Sequence, residues 1–310
     1  MATRAPSAFS VGDFDADHLL GVKGRTRISV CVPARDEEGT VGAVVRAVVE
    51  ELVGPPCPLV DEVLVVDDAS TDGTAEVARA AGARVVRAAD VLPRCGPGAG
   101  KGEALWKSLA ACGGDLVAWC DADVVGFDPS FVVGLLGPLL TDRRIGFVKA
   151  RYGRPLAGGV DGGGRVTELV ARPLIALLFP HLAPFAQPLA GECAGRRSVL
   201  ERVPFAQGYG VDLGLLVDLA ATIGVGAMAE VDLGVRVHRN RPLPELSPEA
   251  LAVLGTALGR AGLEPAPGRG GPSTVLAAPG RAPVWVGGAE RPPLVDVPGY
   301  RARAGPAPVG

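Results

Sequence analysis

From Arg27 onward the apolar positions change their spacing in a regular cycle: a short β-branched run, a polar turn, then a longer stretch with helical periodicity. Ile28–Val32 predicts a strand ended by Pro33, and Glu37–Leu52 a helix with Val41, Val44, Val45, Val48 and Val49 on one face. Val63–Val66 predicts a second strand, closed by Asp67-Asp68-Ala69-Ser70-Thr71-Asp72, and Thr74–Ala81 a second helix. Arg84–Arg87, Gly102–Cys112 and Leu116–Cys120 continue as strand, helix and strand, the last running directly into Asp121-Ala122-Asp123. Such alternation implies an α/β fold with a Rossmann-like, mostly parallel sheet, whose ligands sit beyond the carboxyl ends of the strands.

The second half is less regular. Ile145–Ala150 predicts a strand, Val166–Leu178 and Gly210–Ile223 helices, and Val225–Val237 one or two strands ending at His238-Arg239-Asn240-Arg241. The pattern divides the chain into an N-terminal arm (1–25), a first half (26–125), a second half (126–262) and a Pro/Gly/Ala-rich tail (263–310). That tail is expected to be extended, partly disordered, or ordered only by packing on the body or on a partner subunit.

Composition narrows the class. The chain has 310 residues, 48% of them hydrophobic, and a formal net charge of −3. That is enough for one large domain or two packed halves and excludes a disordered or fibrous chain. The two longest apolar stretches, Val170–Gly191 and Val211–Val231, are interrupted by Arg172 and prolines and by Asp212 and Asp218, so neither reads as a membrane span. Acids occupy the N-terminal segment where a signal peptide needs an apolar core, and a cytoplasmic location is expected. Six cysteines without a C-x-x-C pair read as reduced core residues. With no basic block, neither nucleic acid nor a membrane surface is an expected partner. Lysine occurs only at 23, 101, 107 and 149 and asparagine only at 240, so each survivor draws attention to a specific chemical need.

Several groups could carry chemistry. Asp121 and Asp123, in the turn leaving a buried strand, can converge on one ion, and hard oxygen ligands with room for phosphate oxygens suit Mg²⁺ or Mn²⁺. Asp67 and Asp68 end a neighbouring strand, where an acid can accept hydrogen bonds from ribose hydroxyls; Asp68, Ser70 and Asp72 could instead cap the following helix. Gly98-Ala99-Gly100-Lys101-Gly102-Glu103 departs from a Walker loop, with Cys95 in place of its first Gly and Gly102 in place of Ser or Thr, but brings Lys101 to a helix start beside the acidic rim. Gly162-Gly163-Gly164-Arg165-Val166-Thr167 opens another helix, where backbone N–H groups, an arginine and a hydroxyl make either an anion site or an ordinary capped turn. Along an extended segment Arg236, His238 and Asn240 share one face. His18 and His181 have no such company.

Pro33-Ala34-Arg35-Asp36-Glu37-Glu38, the DDAS-TD turn, GKGEALW, the DAD turn and HRN together resemble GT-A glycosyltransferases, and more narrowly the glucosyl-3-phosphoglycerate synthase family of retaining enzymes. GGGRVTELVARPL, QPLAGECAGRR, PFAQGYGVDLGLLVD and VDLGVRVHRNRPL extend the likeness over residues 27–245, and ERPPLVDVPGY is similar to the family's end. The resemblance implies a GT-A fold, a nucleotide-sugar half (26–125) and an acceptor half (126–262). It also implies metal-dependent glucose transfer from UDP-glucose to 3-phosphoglycerate, and a homodimer. GDP-mannose or another small anionic acceptor is the alternative within the class.

Carried over residue by residue, the resemblance puts Pro33, Ala34, Arg35, Asp36, Glu37, Asp68, Lys101, Asp121 and Ala122 on the nucleotide, Tyr209 and Asp212 on the sugar, and Arg236 on the diphosphate. Asp123 and His238 would hold the metal; Gly164, Arg165, Val166, Thr167 and Asn240 the acceptor. Asp212, Arg165 and Lys101 are the residues expected to serve catalysis. The family commonly has Ser where Asp68 stands and Glu where Asp212 stands.

Overall fold

The structure, a computed structural model, describes residues 5–153, 164–235, 242–263, 273–277, 282–287 and 289–300. The chain runs β1 (Ser7–Ser10), α1 (Ala16–Lys23), β2 (Ile28–Ala34), α2 (Val41–Val48), β3 (Glu62–Asp67), α3 (Thr74–Ala80), β4 (Arg84–Arg87), α4 (Lys101–Ala111) and β5 (Leu116–Trp119). It continues through α5 (Ser130–Thr141), β6 (Phe147–Gly153), α6 (Arg172–Leu178), β7 (Cys193–Arg196), α7 (Arg197–Leu200), β8 (Phe205–Ala206), α8 (Val211–Ile223) and β9 (Met228–Val235). Last come α9 (Leu243–Arg260), β10 (Ser273–Leu276), β11 (Val284–Gly287) and β12 (Glu290–Arg291).

Eight strands form one sheet in the order β1-β9-β6-β7-β5-β2-β3-β4. Every neighbouring pair is parallel except those of β7, which runs antiparallel between β5 and β6. Both faces of the sheet are covered, as parallel strands require. Val30 and Val32 of β2 point into one layer, with Val41, Val44 and Val45 of α2 and Leu135 of α5. Cys31 between them points into the other, with Leu105, Trp106 and Leu109 of α4 and Leu213 of α8, the two-residue alternation a strand imposes. The register pairs Ala34 with Asp67 and Cys31 with Trp119, so the acids that follow β3 and β5 arrive on one rim.

The expected βαβ series from β2 to β5 is present, with α2 starting four residues later than the periodicity suggested and continuing as a wider turn to Val53. The N-terminal segment departs from the expected arm: β1 pairs with β9, Leu19 of α1 is fully buried, and Lys23 pairs with Asp61 at 2.8 Å. Gly137 permits this closure, because a Cβ there would run into the Phe14 ring. The two expected halves share one sheet. In the tail, residues 289–300 pack on the body with Leu294 fully buried, one of the outcomes expected for it. All six cysteines are free thiols and five are buried. No helix among the described residues is long and apolar enough to cross a membrane.

Candidate active site

Two turns at the carboxyl ends of β2 and β3 cross-link one another. The Asp36 N–H donates to Ser70 Oγ (3.0 Å), Thr71 N–H to Asp36 Oδ1 (2.7 Å), Glu37 N–H to Thr74 Oγ1 (2.8 Å) and Gly73 N–H to Glu38 Oε2 (2.8 Å). Asp36 adopts a left-handed conformation (φ 53°), which an aspartate tolerates better than most residues and which turns its carboxylate back toward Thr71. Asp72 accepts from Thr74 N at 3.0 Å and Asp67 from Ser70 N at 3.3 Å. The Ser70–Asp72 segment therefore stiffens the turn, and Asp68 is left to line the cleft beyond the rim.

Asp68 is buried and accepts the Gly100 N–H at 2.7 Å, with the Arg35 guanidinium 3.9 Å away. Burial pushes its carboxyl above the ordinary aspartate range, and the Gly100 hydrogen bond and Arg35 only partly oppose this. Gly100 (φ 82°) is the residue before α4, and its left-handed backbone lets the loop reach Asp68 while passing close to Gly208.

Lys101 opens α4 and links three elements. Its ammonium lies 3.0 Å from Asp121 Oδ1 after β5 and 3.3 Å from Asp212 Oδ2 on the first turn of α8. Burial works against the charged ammonium, but Asp121 and Asp212, with Glu192 further off, outweigh it and raise its pKa well above the usual lysine value. A lysine so held remains a cation at neutral pH.

Two further residues fix this group. A Cβ on Gly191 would collide with the Asp121 carboxylate and stand 2.5 Å from Lys101 Nζ, so only glycine leaves room for the pair. Lys149, 1% exposed on β6, donates to the Ala190 carbonyl at 2.9 Å and the Asp212 carbonyl at 3.4 Å. It ties the chain on either side of the site together from below. Sequence reasoning missed both roles, although Lys149 stood out as one of four lysines.

These elements enclose a cleft of about 310 Å³ lined by Pro33, Ala34, Arg35, Glu37, Asp68, Gly100, Lys101, Ala104, Asp121, Ala122, Asp123 and Tyr209, near the lower end of small-molecule sites. Most of the residues expected on the nucleotide thus come together. Asp36 instead braces the neighbouring turn, and Asp212 reaches the group through Lys101. Tyr209, from the second half of the chain, closes the cleft from the far side with 42% of its surface exposed. The cleft is therefore not confined to the first half.

Gly164 (φ 83°) starts the helical segment that leads into α6, accepting the Glu168 N–H at 2.9 Å. Arg165 and Val166 form its half-buried first turn, followed by buried Thr167. Arg236, His238 and Asn240 lie outside the described residues, just beyond the end of β9. Among the described residues no group of three or more His, Cys, Asp and Glu is arranged to hold a metal ion. Asp121 and Asp123 nonetheless both line the cleft. Two hard carboxylate donors lining one cleft fit Mg²⁺ or Mn²⁺, which leave other coordination positions to water and phosphate.

Comparison with known proteins places this geometry. The model of glycosyl transferase family 2 matches residues 29–203. The chain is 52% identical over 252 residues to glucosyl-3-phosphoglycerate synthase of Mycolicibacterium smegmatis, covering 80% of this chain and 82% of that one. It is 45% identical to the enzyme of the same name from Petrotoga mobilis, covering 78% and 75% of the two chains. Its structure is similar to glucosyl-3-phosphoglycerate synthase of Mycobacterium tuberculosis solved with Mn²⁺, UDP-glucose and phosphoglyceric acid, with a TM-score of 0.85, 42% identity and coverage of 95% and 99%. Mannosyl-3-phosphoglycerate synthase of Rubrobacter xylanophilus is also similar, with a TM-score of 0.83, 37% identity and coverage of 94% and 97%.

Proposed function

The chain belongs to glycosyl transferase family 2, and on that premise we propose that it transfers glucose from UDP-glucose to 3-phosphoglycerate, giving glucosyl-3-phosphoglycerate and UDP in a metal-dependent reaction. The site geometry and the relatives carry the reading together. Lys101 is held between Asp121 and Asp212 in a cleft that also presents Asp68 and Asp123, and the relatives at 45 to 52% identity are named as glucosyl-3-phosphoglycerate synthases.

In this reading Pro33, Ala34, Arg35, Glu37 and Asp68 hold the uridine end, and Asp36 keeps their turn in shape. Lys101 and Arg236 meet the diphosphate, while Tyr209 and Asp212 face the glucose. Gly164, Arg165, Val166, Thr167 and Asn240 take the phosphate and carboxylate of the acceptor. Residues 26–125 accordingly supply most of the donor site and 126–262 the acceptor site. Asp123 and His238, with Asp121 beside them, would hold Mg²⁺ or Mn²⁺, whose charge offsets that of the diphosphate.

The bond from the glucose anomeric carbon to the phosphate oxygen breaks, and the acceptor 2-hydroxyl bonds to that carbon from the same face, so the configuration is retained. Its proton passes to the departing diphosphate. Lys101 stabilises the negative charge growing there. Asp212, engaged by Lys101, orients the sugar and does not attack it. A homodimer and a cytoplasmic location belong to the same reading; six free cysteines support a reducing compartment.

The test mixes pure protein, Mg²⁺, UDP-glucose and 3-phosphoglycerate and measures UDP release, with GDP-mannose as a second donor and EDTA as a metal-free arm. UDP release that needs both 3-phosphoglycerate and metal is expected. Equal release without the acceptor, or faster turnover with GDP-mannose, would overturn the substrate assignment.

A further inference from the structure

Four consecutive residues near the C-terminus, used by none of the steps above, hold two of the loops that border the donor cleft. Glu290 and Arg291 of β12 pair antiparallel with Ala206 and Phe205 of β8. The Gln207 N–H donates to the Ala289 carbonyl at 2.9 Å, continuing that pairing into the turn that carries Tyr209. On the other side, Trp106 Nε1 of α4 donates to the Pro292 carbonyl at 2.8 Å.

Arg291 reaches furthest. It is 6% exposed, and its fork binds both oxygens of Glu103, Nε to Oε2 at 2.5 Å and Nη2 to Oε1 at 2.9 Å. The same guanidinium donates to the carbonyls of Cys95 and Gly96 and lies 5.3 Å from the centre of the Trp106 ring. Glu103 is 1% exposed and belongs to the first turn of α4, two residues after Lys101. A carboxylate that deeply buried needs a counter-charge, and a planar fork meets both its oxygens and two carbonyls in a way an ammonium cannot.

Residues 96–99 lack regular secondary structure. Their path is set at one end by Arg291 and at the other by the Gly100 N–H on Asp68. Gly98 passes so close to the ion pair that a Cβ there would stand 2.6 Å from Arg291 Nη2.

We propose that Arg291 is a positioning residue for donor binding. Through Glu103 and the 95–100 loop it sets Gly100 and Lys101 against the nucleotide diphosphate, while its own strand sets the Tyr209 turn opposite. This rests on the reading of the cleft as the UDP-glucose site.

The experiment compares wild type with Arg291→Met, Arg291→Lys and Gly98→Ala by steady-state kinetics in each substrate, by calorimetric titration with UDP in the presence of Mg²⁺, and by thermal unfolding. Arg291→Met is expected to raise the UDP-glucose KM and the UDP Kd by about tenfold or more, with the 3-phosphoglycerate KM within about twofold of wild type. Arg291→Lys recovers only part of the loss, because the fork is missing. Gly98→Ala keeps both charges and moves the same two constants in the same direction.

Equal rises in both KM values, or a lower Tm with unchanged constants, overturn the proposal. If Arg291→Met does not fold, the other two variants decide by the same split. A wild type that binds UDP but transfers no glucose overturns the substrate reading instead; UDP affinity then remains the measure for Arg291.

Discussion

Each of the four lysines is committed to a partner. Lys23 pairs with Asp61, Lys101 with Asp121 and Asp212, Lys107 lies 3.6 Å from Glu103, and Lys149 donates to two carbonyls beneath the site. Rarity in the sequence thus marked groups that the fold uses, but it could not say for what. Asp68 shows how one residue's surroundings become a measurable property. Its carboxyl is raised mainly by burial, so the folded protein takes up its proton at a pH where the unfolded chain is still ionised. Stability tied to this group is therefore fully present below the unfolded aspartate pKa and is lost as pH rises from there through the higher folded pKa. Donor binding that uses the carboxylate as the Gly100 acceptor runs the other way and weakens as pH falls. A plot of kcat/KM for UDP-glucose against pH should show an acid limb lying above the ordinary aspartate range. Asp68→Ser keeps an oxygen acceptor and has nothing to titrate there. It should remove that limb while changing the neutral-pH KM by no more than about threefold, the size of a modest hydrogen-bond change. An unmoved limb would assign the titration to another group.

At the scale of elements, what could be read from the sequence followed the strength of its periodicity. β2, β3, β4 and β5 with α2, α3 and α4 were legible because β-branched runs alternate with stretches whose apolar face repeats at helical spacing. α5 was not, because SFVVGLLGPLLT is apolar on all sides and buried along most of its length, and a helix without a polar face has no period to detect. α9 was obscured by prolines near its start and at Pro248 inside it, and β7 by the small residues of CAGR. β1 alternates half-buried and exposed positions, but over only four residues, Ser7–Ser10, with Phe9 as its one large apolar side chain, too short a run to stand out. The site divides likewise. Acids ending strands and a lysine opening a helix announce themselves, whereas Gly191, Lys149 and Arg291 owe their places to contacts between distant segments. The helical segment after Gly164 was legible through its glycine turn, and it carries the next prediction. Arg165→Ala removes the only formal positive charge from that first turn, with a charge-assisted hydrogen bond of about 1.5–3 kcal/mol. The 3-phosphoglycerate KM should rise about 10- to 100-fold with the UDP-glucose KM near wild type. Equal rises in both would remove Arg165 from the acceptor site.

Across the whole molecule, a buried cation besides Arg291 ties the C-terminal segment to the fold. Arg197, at the start of α7, donates to the Gly114, Leu109 and Cys112 carbonyls at 2.5, 2.6 and 3.0 Å, and to the Cys112 sulfur at 2.8 Å. It also stands 3.5 Å from Glu201, which accepts the Tyr300 hydroxyl at 2.6 Å. A hydrogen bond from Cys31 and the charge of Arg197 together hold the Cys112 thiol below the usual thiol range, while burial opposes them. The end of α4, the loop before β5, α7 and Tyr300 thus converge on a guanidinium 3% exposed, on the side of the sheet that also carries α4 and Cys95. Arg197→Met would preserve volume but leave three carbonyls without their donor and the buried Glu201 carboxylate without its nearby cation. Breaking a buried pair from one side costs about 3–5 kcal/mol. Tyr300→Phe, which removes one neutral donor to that carboxylate and leaves Arg197 in place, should cost less, about 1.5–3 kcal/mol. Urea unfolding of the full chain separates the two through their midpoints. Because Arg197 does not border the cleft, the folded fraction of Arg197→Met at low temperature should keep both KM values. A midpoint close to wild type would show that the C-terminal segment is held by the β12–β8 pairing, the Arg291–Glu103 pair and the apolar contacts of Leu294 and Val297, and that the Arg197 guanidinium only fills space.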